Sequence, residues 1–328
     1  MKPLILTTGS GASLMHSDFA DVAILFVFRF VSGPLPSPHE LAIYLATRSD
    51  EHGPGSHWSD FAGRWPQAAN ARKHLALAEF CQPYEIVELW FDPSPDDQLQ
   101  LIWLLDCLSS YPEIAAKLRL RLVDFDLISA DGKGLGRWAA LGMTVDVTAA
   151  ELETASMSWQ AYRAPTPEGC FGLLRKNLSA FPLLRPALID LLEELPCGTT
   201  GLGATEMRLL ELIARGYSLT NALFYLRTLR QRCVFNDFEI GSLLEGLAHG
   251  PTPAVAGLDD ELRVIRKENY RDRLKAYQRS QLSLTEFGKS IVAYKEDFSK
   301  HNPIDRWWGG THLTNDRLWR WDPVLIAT

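Results

Sequence analysis

The chain has 328 residues, 46% of them hydrophobic and 22% charged, with a formal net charge of −7. At about 150 residues per domain that length fits two domains or one large one. The composition excludes a disordered chain, a collagen-like repeat and a disulfide-stapled miniprotein, and the acidic balance argues against a general nucleic-acid binder, which needs a basic face.

Pro3 to Thr8 is a short aliphatic and β-branched run that ends at Gly9-Ser10-Gly11. Val22 to Phe28 is a second apolar run, Glu85 to Phe91 a third and Leu120 to Ile128 a fourth. Helix-like stretches lie between them, at His39 to Thr47, Trp65 to Phe80 and Asp97 to Ser109. In the last, Leu101, Leu104, Leu105 and Leu108 recur at the spacing of one helix face, and Asp96 or Asp97 is placed to cap it. Strands alternating with helices predict an α/β domain with a mostly parallel, Rossmann-like sheet over residues 1–147.

Strand signals then vanish. Ala149 to Arg163, Pro167 to Asn177 and Pro182 to Leu195 read as three helices, a connector over residues 148–200. The Gly-rich break Cys197 to Gly203 follows. Ala204 to Arg215, Leu219 to Leu229 and Asp237 to His249 read as three more helices, with Gly216 closing the first. A strand-like Leu262 to Ile265 and the stretch Leu282-Ser-Leu-Thr-Glu-Phe-Gly288 complete a winged-helix-like domain over residues 201–296. A Trp-rich tail occupies residues 297–328: of ten tryptophans, Trp307, Trp308, Trp319 and Trp321 fall in the last 22 residues. Trp319 and Trp321 alternate with Arg320, as in a strand with one apolar face. So much apolar surface is expected to be buried, with the tail returning onto the α/β domain or the groove between domains.

The candidate chemistry lies in three places. Gly9, Ser10 and Gly11 stand where a strand-to-helix turn offers backbone N–H groups to an anion. The full dinucleotide-binding glycine pattern is absent, because position 14 is Leu, so a plain tight turn is the stronger reading. Asp92, Asp97 and Gln98 lie in the proline-stiffened loop after the third strand, where open α/β sheets form a ligand crevice. Asp305, Arg306, His312 and Arg320 sit among the tail's tryptophans, and buried charges need partners or a ligand. Ser32 to Pro36 reads as a rigid turn with a backbone role.

Other chemistries lack their signatures. Neither H-x-x-x-H nor C-x-x-C occurs, so no metal site is predicted. No G-x-S-x-G elbow or Walker loop is present. The third helix of the winged unit carries Asp237, Glu239 and Glu245 with no Lys or Arg, which suits a protein partner better than DNA. Basic residues cluster at Arg227, Arg230 and Arg232 and from Arg263 to Arg279, reading as a solvated face. The longest apolar run is far short of the roughly 20 residues that span a bilayer, and the first residues make a poor secretion signal. A cytoplasmic protein with reduced cysteines is therefore expected.

Several stretches together resemble a bacterial family: ELWFDPSPDDQLQLIWLLDCL, SWQAYRAPTPEG, GLGATEMRLLELIARG, LSLTEFGKSIV, and IDRWWGGTHL with LWRWD. The family is that of domain of unknown function 1835, with its C-terminal companion, domain of unknown function 3658. The similarity runs through most of the chain in order, and IDRWWGG is its most specific part. It implies an architecture and no reaction. Asp97, Gln98, Asp305, Arg306 and His312 match the family's polar positions. The Gly-Asp-Ser-like turn is here Gly9-Ser10-Gly11, Asp92 and Pro93 replace a Glu-His pair, and Phe28-Arg29-Phe30 replaces a polar Trp-Arg-Asp-like stretch. Those losses imply a diverged member. Two functions follow as expectations. One is a non-catalytic protein binding a small anionic or nucleotide-like ligand, with the winged unit taking a protein partner. The other is an enzyme on a nucleotide or phosphorylated substrate, using Asp97, Asp305, Arg306 and His312. DNA regulation through the winged unit is a weaker third, and no cofactor is indicated.

Overall fold

The runs LILTT and VAILF become strands covered on both faces, whereas LRLRL alternates Leu with Arg. β1 (Leu4–Thr8), β2 (Val22–Phe26), β3 (Val87–Phe91) and β4 (Leu118–Leu122) pair in parallel. β5 (Thr144–Asp146) joins β4 antiparallel, giving the order β2-β1-β3-β4-β5. Every residue of β1 and β2 is buried, whereas β5 at the edge is exposed throughout. The structure, a computed structural model, describes residues 3–16, 20–61, 66–125, 127, 144–227, 233–259, 264–266 and 268–327. The chain is thus mixed α/β with a mostly parallel five-stranded sheet. Among the described residues no helix is long and apolar enough to cross a membrane.

Two strand ends differ from the sequence reading for one reason. A strand lasts only while a neighbour offers backbone partners. β2 stops at Phe26 because its partner β1 ends at Thr8, opposite it, so Val27 and Phe28 fall outside. β4 runs Leu118–Leu122, not Leu120 to Ile128, because it pairs in register from Val87↔Leu118 to Phe91↔Leu122. Asp126 and Ile128 lie outside the described residues.

The chain divides into two compact units. The first comprises Met1–Phe30, Leu35–Arg163 and Gly172–Ala187; the second comprises Val31–Pro34, Ala164–Phe171 and Leu188–Thr328.

In the first unit the helix Pro38–Leu45 opens with a capping box between Ser37 and Glu40, which satisfies two otherwise orphaned N–H groups. The expected helix from Trp65 to Phe80 is two short ones, Gln67–Asn70 and Leu77–Cys81. The carbonyl of Leu75 between them accepts the Trp58 indole N–H at 3.0 Å and leaves the helical ladder. Trp65 lies outside the described residues. The helix Pro95–Leu108 is buried on almost every side, with Ala149–Tyr162 packed along it. Its cap is Ser94, whose hydroxyl accepts the Asp97 N–H, with Pro95 at the first helical position. Asp96 and Asp97 do not cap it. Both are buried and bonded elsewhere.

The second unit carries the helices Ala204–Ala214, Thr220–Arg227 and Asp237–His249 in the expected order. Gly216 does close the first, at φ 95°. The stretch from Leu282 to Gly288 is not the strand and turn ending a wing. Only β7 (Ser283–Leu284) is strand, paired antiparallel with β6 (Val255–Ala256). The Thr285 hydroxyl then accepts the Gly288 N–H and starts a helix, Glu286–Val292, because a threonine three residues ahead of a free N–H is a cap. Of the expected strand Leu262 to Ile265, Leu262 and Arg263 lie outside the described residues, and Val264 is not in a strand. Arg230, Arg232, Lys267 and the side chain of Arg227 also lie outside them.

The tail forms two strand pairs, β8 (Asp305–Trp308) with β9 (Thr311–Thr314) and β10 (Trp319–Trp321) with β11 (Leu325–Ala327). The Trp308 indole N–H donates to the Leu191 carbonyl at 2.6 Å, and the Trp321 ring meets Phe171 edge-on. The Gly-rich break is needed sterically at Gly201. Its φ is 68°, and a Cβ there would collide with Asp297 Oδ1 and with Ser299. Gly201→Ala is expected to lower stability by about 1–3 kcal/mol, from a left-handed alanine and a clash against buried polar groups. A urea melt reading no shift in midpoint would refute this.

Candidate functional site

In the order β2-β1-β3-β4, the chain leaves β1 on one side and returns to β3 on the other. The switch point between β1 and β3 is where such sheets open a crevice at their carboxyl ends. The loops after β1 and β3 meet there, and they hold the first set of candidate residues. Thr8 Oγ1 donates to the Asp97 carboxyl, lying 2.8 Å from Oδ1 and 2.7 Å from Oδ2. Ser10 Oγ donates to Oδ1 at 3.2 Å, and the Asp92 N–H reaches Oδ2 at 3.2 Å. Burial and the neighbouring Asp92 carboxylate push the Asp97 carboxyl well above the usual range, against the Thr8 hydrogen bond. Asp92 accepts the Ser94 N–H at 2.8 Å, and Gln98 Nε2 donates to the Asp92 carbonyl at 2.7 Å. Asp96 binds the other way, to the Phe30 N–H, Gln100 Nε2 and Arg29 Nη1, each within 2.9 Å.

This is a polar latch tying the ends of β1 and β3 to one helix start. Asp92 and Asp96 crowd the N-terminus where an anion would sit, so like charge opposes a phosphate there. Gly9 has open space around it, while a Cβ on Gly11 would strike the Thr7 side chain. Gly11 is therefore required by close packing rather than by a ligand.

The second set lies on the tail hairpin. The register Asp305↔Thr314, Arg306↔Leu313, Trp307↔His312 and Trp308↔Thr311 sorts the residues onto two faces. Trp307 and His312 share one face, stacked at 4.5 Å and 11°, with Asp305 Oδ1 2.6 Å from His312 Nε2. Arg306 and Trp308 share the other. Arg306 Nη1 donates to Glu206 Oε2 at 2.8 Å, and Nη2 lies 3.4 Å from the Glu194 carbonyl. The Glu194 carboxyl accepts the Thr205 hydroxyl at 2.5 Å and the Thr205 N–H at 3.1 Å. Burial pushes Glu194 up to about 7, with Glu206 adding to the rise and Thr205 and Arg306 opposing it. Arg320 is structural: Nη1 donates to the Cys197 carbonyl at 2.8 Å, and Nη2 to Asp297 at 3.0 Å and Ser299 at 2.9 Å.

Two cavities flank this hairpin, and Asp305 and Arg306 line both. One, of about 270 Å³, is walled by Phe235, Trp307, Trp308 and Leu313, with Glu194 and the turn Val31–Gly33 completing it. The other, of about 430 Å³, lies along the helix Asp237–His249 and includes Glu206, Glu245, Phe298 and Ile304. An aromatic wall with a few convergent polar groups is what a small-molecule pocket needs. Among the described residues no grouping of His, Cys, Asp and Glu could hold a metal ion.

The structure brings Gly9, Ser10, Asp92, Asp97 and Gln98 to one end of the sheet in the first unit. It brings Asp305, Arg306 and His312 onto one hairpin in the second. Sequence reasoning missed Glu194 and Phe235, which carry no local pattern, and it gave the Ser32 to Pro36 turn a backbone role only. Gly33 does take φ 71° there, and Ser32 and Gly33 also line the smaller cavity. No protein-family model matches the chain and no curated protein does.

Proposed function

We propose that this chain is a non-catalytic small-ligand-binding protein whose ligand occupies the aromatic cavity of the second unit. The carrying observation is that cavity, about 270 Å³ between Phe235, Trp307 and Trp308 with Arg306 at its edge. Its charge selects the ligand. Arg306 is neutralised by Glu206, while Asp305 adds a carboxylate at the cavity's edge. A flat heteroaromatic that is neutral or cationic is favoured over the anion suggested by the Gly9 turn, because aromatic faces and carboxylates both attract positive charge. We read the first unit as Rossmann-like, from its strand order and switch point, and the second as winged-helix-like, from three helices followed by the β6–β7 pair. Membership of the resembled family is part of the same proposal.

A catalytic reading would use Asp97 with the tail residues. Asp97 has both oxygens committed to Thr8, Ser10 and the Asp92 backbone, and a base already engaged in a structural latch is poorly placed to take a substrate proton. DNA reading by the helix Asp237–His249 is opposed by its Asp237, Glu239 and Glu245.

Thermal shift and tryptophan fluorescence with adenosine, 1-methylnicotinamide and AMP test the proposal. The first two are expected to bind saturably and AMP weakly, and Trp307→Ala, at a half-exposed position, is expected to abolish binding in a folded protein. AMP binding tightest, conversion of any probe to product, or no saturable binding would each overturn the reading.

A further inference from the structure

The end of β2 in the first unit holds a different feature. Phe28 is half-buried between Val27 and Arg29, both exposed. Its ring is stacked on Phe30 at 5.3 Å and 10°, and it meets Tyr44 at 4.6 Å and Trp103 at 5.0 Å, both edge-on. Its carbonyl accepts Gln100 Nε2 at 3.0 Å. So Phe28 plugs a cage made by Phe30, Tyr44, Trp103 and Gln100.

Three of these four walls carry a buried polar atom with no hydrogen-bond partner among the described residues: the Tyr44 hydroxyl, Trp103 Nε1 and Gln100 Oε1. Tyr44 is 5%, Gln100 2% and Trp103 0% exposed. Buried polar groups are nearly always bonded, so three orphans on residues that each touch Phe28, two by ring contact and one through its carbonyl, call for an explanation. Their chemistry is complementary. The indole N–H only donates, the amide oxygen only accepts, and the phenol does either. A phenylalanine satisfies none of them, but an aromatic ring bearing one group that both donates and accepts would satisfy two or three.

We propose that Phe28 occupies, as an internal stand-in, a binding site for a single-ring aromatic carrying a hydroxyl or equivalent hydrogen-bonding group. The ligand enters when Phe28 swings out. The walls are otherwise fixed: the Phe30 N–H is bound to Asp96, its carbonyl accepts the Tyr162 hydroxyl at 3.0 Å, and Trp103 lies on the buried helix Pro95–Leu108. Phe28, unlike the four walls, has an exposed neighbour on each side, so it is the part that moves.

The test is ¹⁹F NMR with 4-fluorophenol and fluorobenzene on the full chain. In the wild type 4-fluorophenol is expected to bind, and Phe28→Ala to tighten it by removing the competitor. The preference for 4-fluorophenol over fluorobenzene is expected to be about tenfold or more, the effect of one buried hydrogen bond. Tyr44→Phe and Trp103→Phe keep the rings and are expected to collapse that preference. If fluorobenzene binds Phe28→Ala as well as 4-fluorophenol does, the site is merely an apolar hole and the proposal fails. It fails equally if neither probe binds Phe28→Ala while that variant's circular dichroism is native. Should Trp103→Phe not fold, Tyr44→Phe decides alone.

Discussion

Replacing Trp308 with alanine is expected to lower the stability of the second unit by about 3–5 kcal/mol, the usual cost of emptying a buried large aromatic site. Trp308 is 6% exposed, and its indole N–H is bonded to the Leu191 carbonyl. The substitution therefore leaves a void and removes one of two donors from the Leu191 carbonyl, which keeps the Glu194 N–H at 3.1 Å. The adjacent residue behaves differently. Trp307 is 37% exposed and spends one face on His312, so Trp307→Ala is expected to cost only about 1 kcal/mol, the worth of an exposed aromatic stack. Urea unfolding of the two single variants measures both. Equal losses would show that the hairpin faces are not divided as its register divides them.

Asp97 carries the second large effect. Asp97→Ala is expected to cost about 2–4 kcal/mol, because it strands the Thr8 hydroxyl and the Asp92 N–H in a buried site. Asp97→Asn keeps the shape and most of the hydrogen bonds and is expected to cost about 1 kcal/mol or less at acid pH. The two forms then diverge with pH. Burial and Asp92 raise the folded-state pKa of Asp97 above its unfolded value, so the folded chain holds a proton that the unfolded chain has released. That contribution is fully present below the unfolded value, about 3.9, and is lost as pH rises through the raised folded value. The wild type should therefore lose ground to Asp97→Asn as pH climbs. Urea midpoints of both proteins from pH 4 to 8 test this. A difference that stays flat, or that moves the other way, would mean that Asp97 ionises normally in the latch. Glu194, held near 7, adds a slope of the same sign to both proteins and cancels in the comparison.

The two substitutions also separate the units by function. Trp308 borders the cavity proposed to take the ligand, and Asp97 belongs to a latch proposed to take none. Trp307→Ala is thus the variant that tests binding without a large stability change, and Asp97→Asn is expected to leave binding untouched.

The first two strands were legible because each is a continuous run of aliphatic and β-branched residues, which suits a strand buried on both faces. The helix Asp237–His249 was legible to the residue, because Asn236 and Glu239 form a capping box and Gly250 follows it. Ends set by pairing were not. Whether Phe28 or Leu118 belongs to a strand depends on where β1 and β3 stop, which no local pattern encodes. The Leu282–Gly288 stretch misled for a related reason: Thr285 reads equally as strand or cap, and only the partner β6 limits the strand to two residues.

For the site, the sequence by itself determined which residues to weigh as candidates. It marked Asp92 and Asp97 in the loop after the third strand and Asp305, Arg306 and His312 among the tail's tryptophans, and it marked the tail as something to be buried. Only the tertiary structure decided how those charges are spent. Asp97 faces hydroxyls from Thr8 and Ser10, some 90 positions away in sequence, and Arg306 faces Glu206, 100 positions away. Long-range pairing of this kind follows from strand order and hairpin register, which bring distant segments together by burying backbone and apolar surface. The polar side chains then bond whatever arrives beside them. Composition alone led to the expectation that all four tail tryptophans are buried; Trp308 and Trp321 are, Trp319 is half-buried and Trp307 is exposed, and the difference between Trp307 and Trp308 came from which way each points across one hairpin.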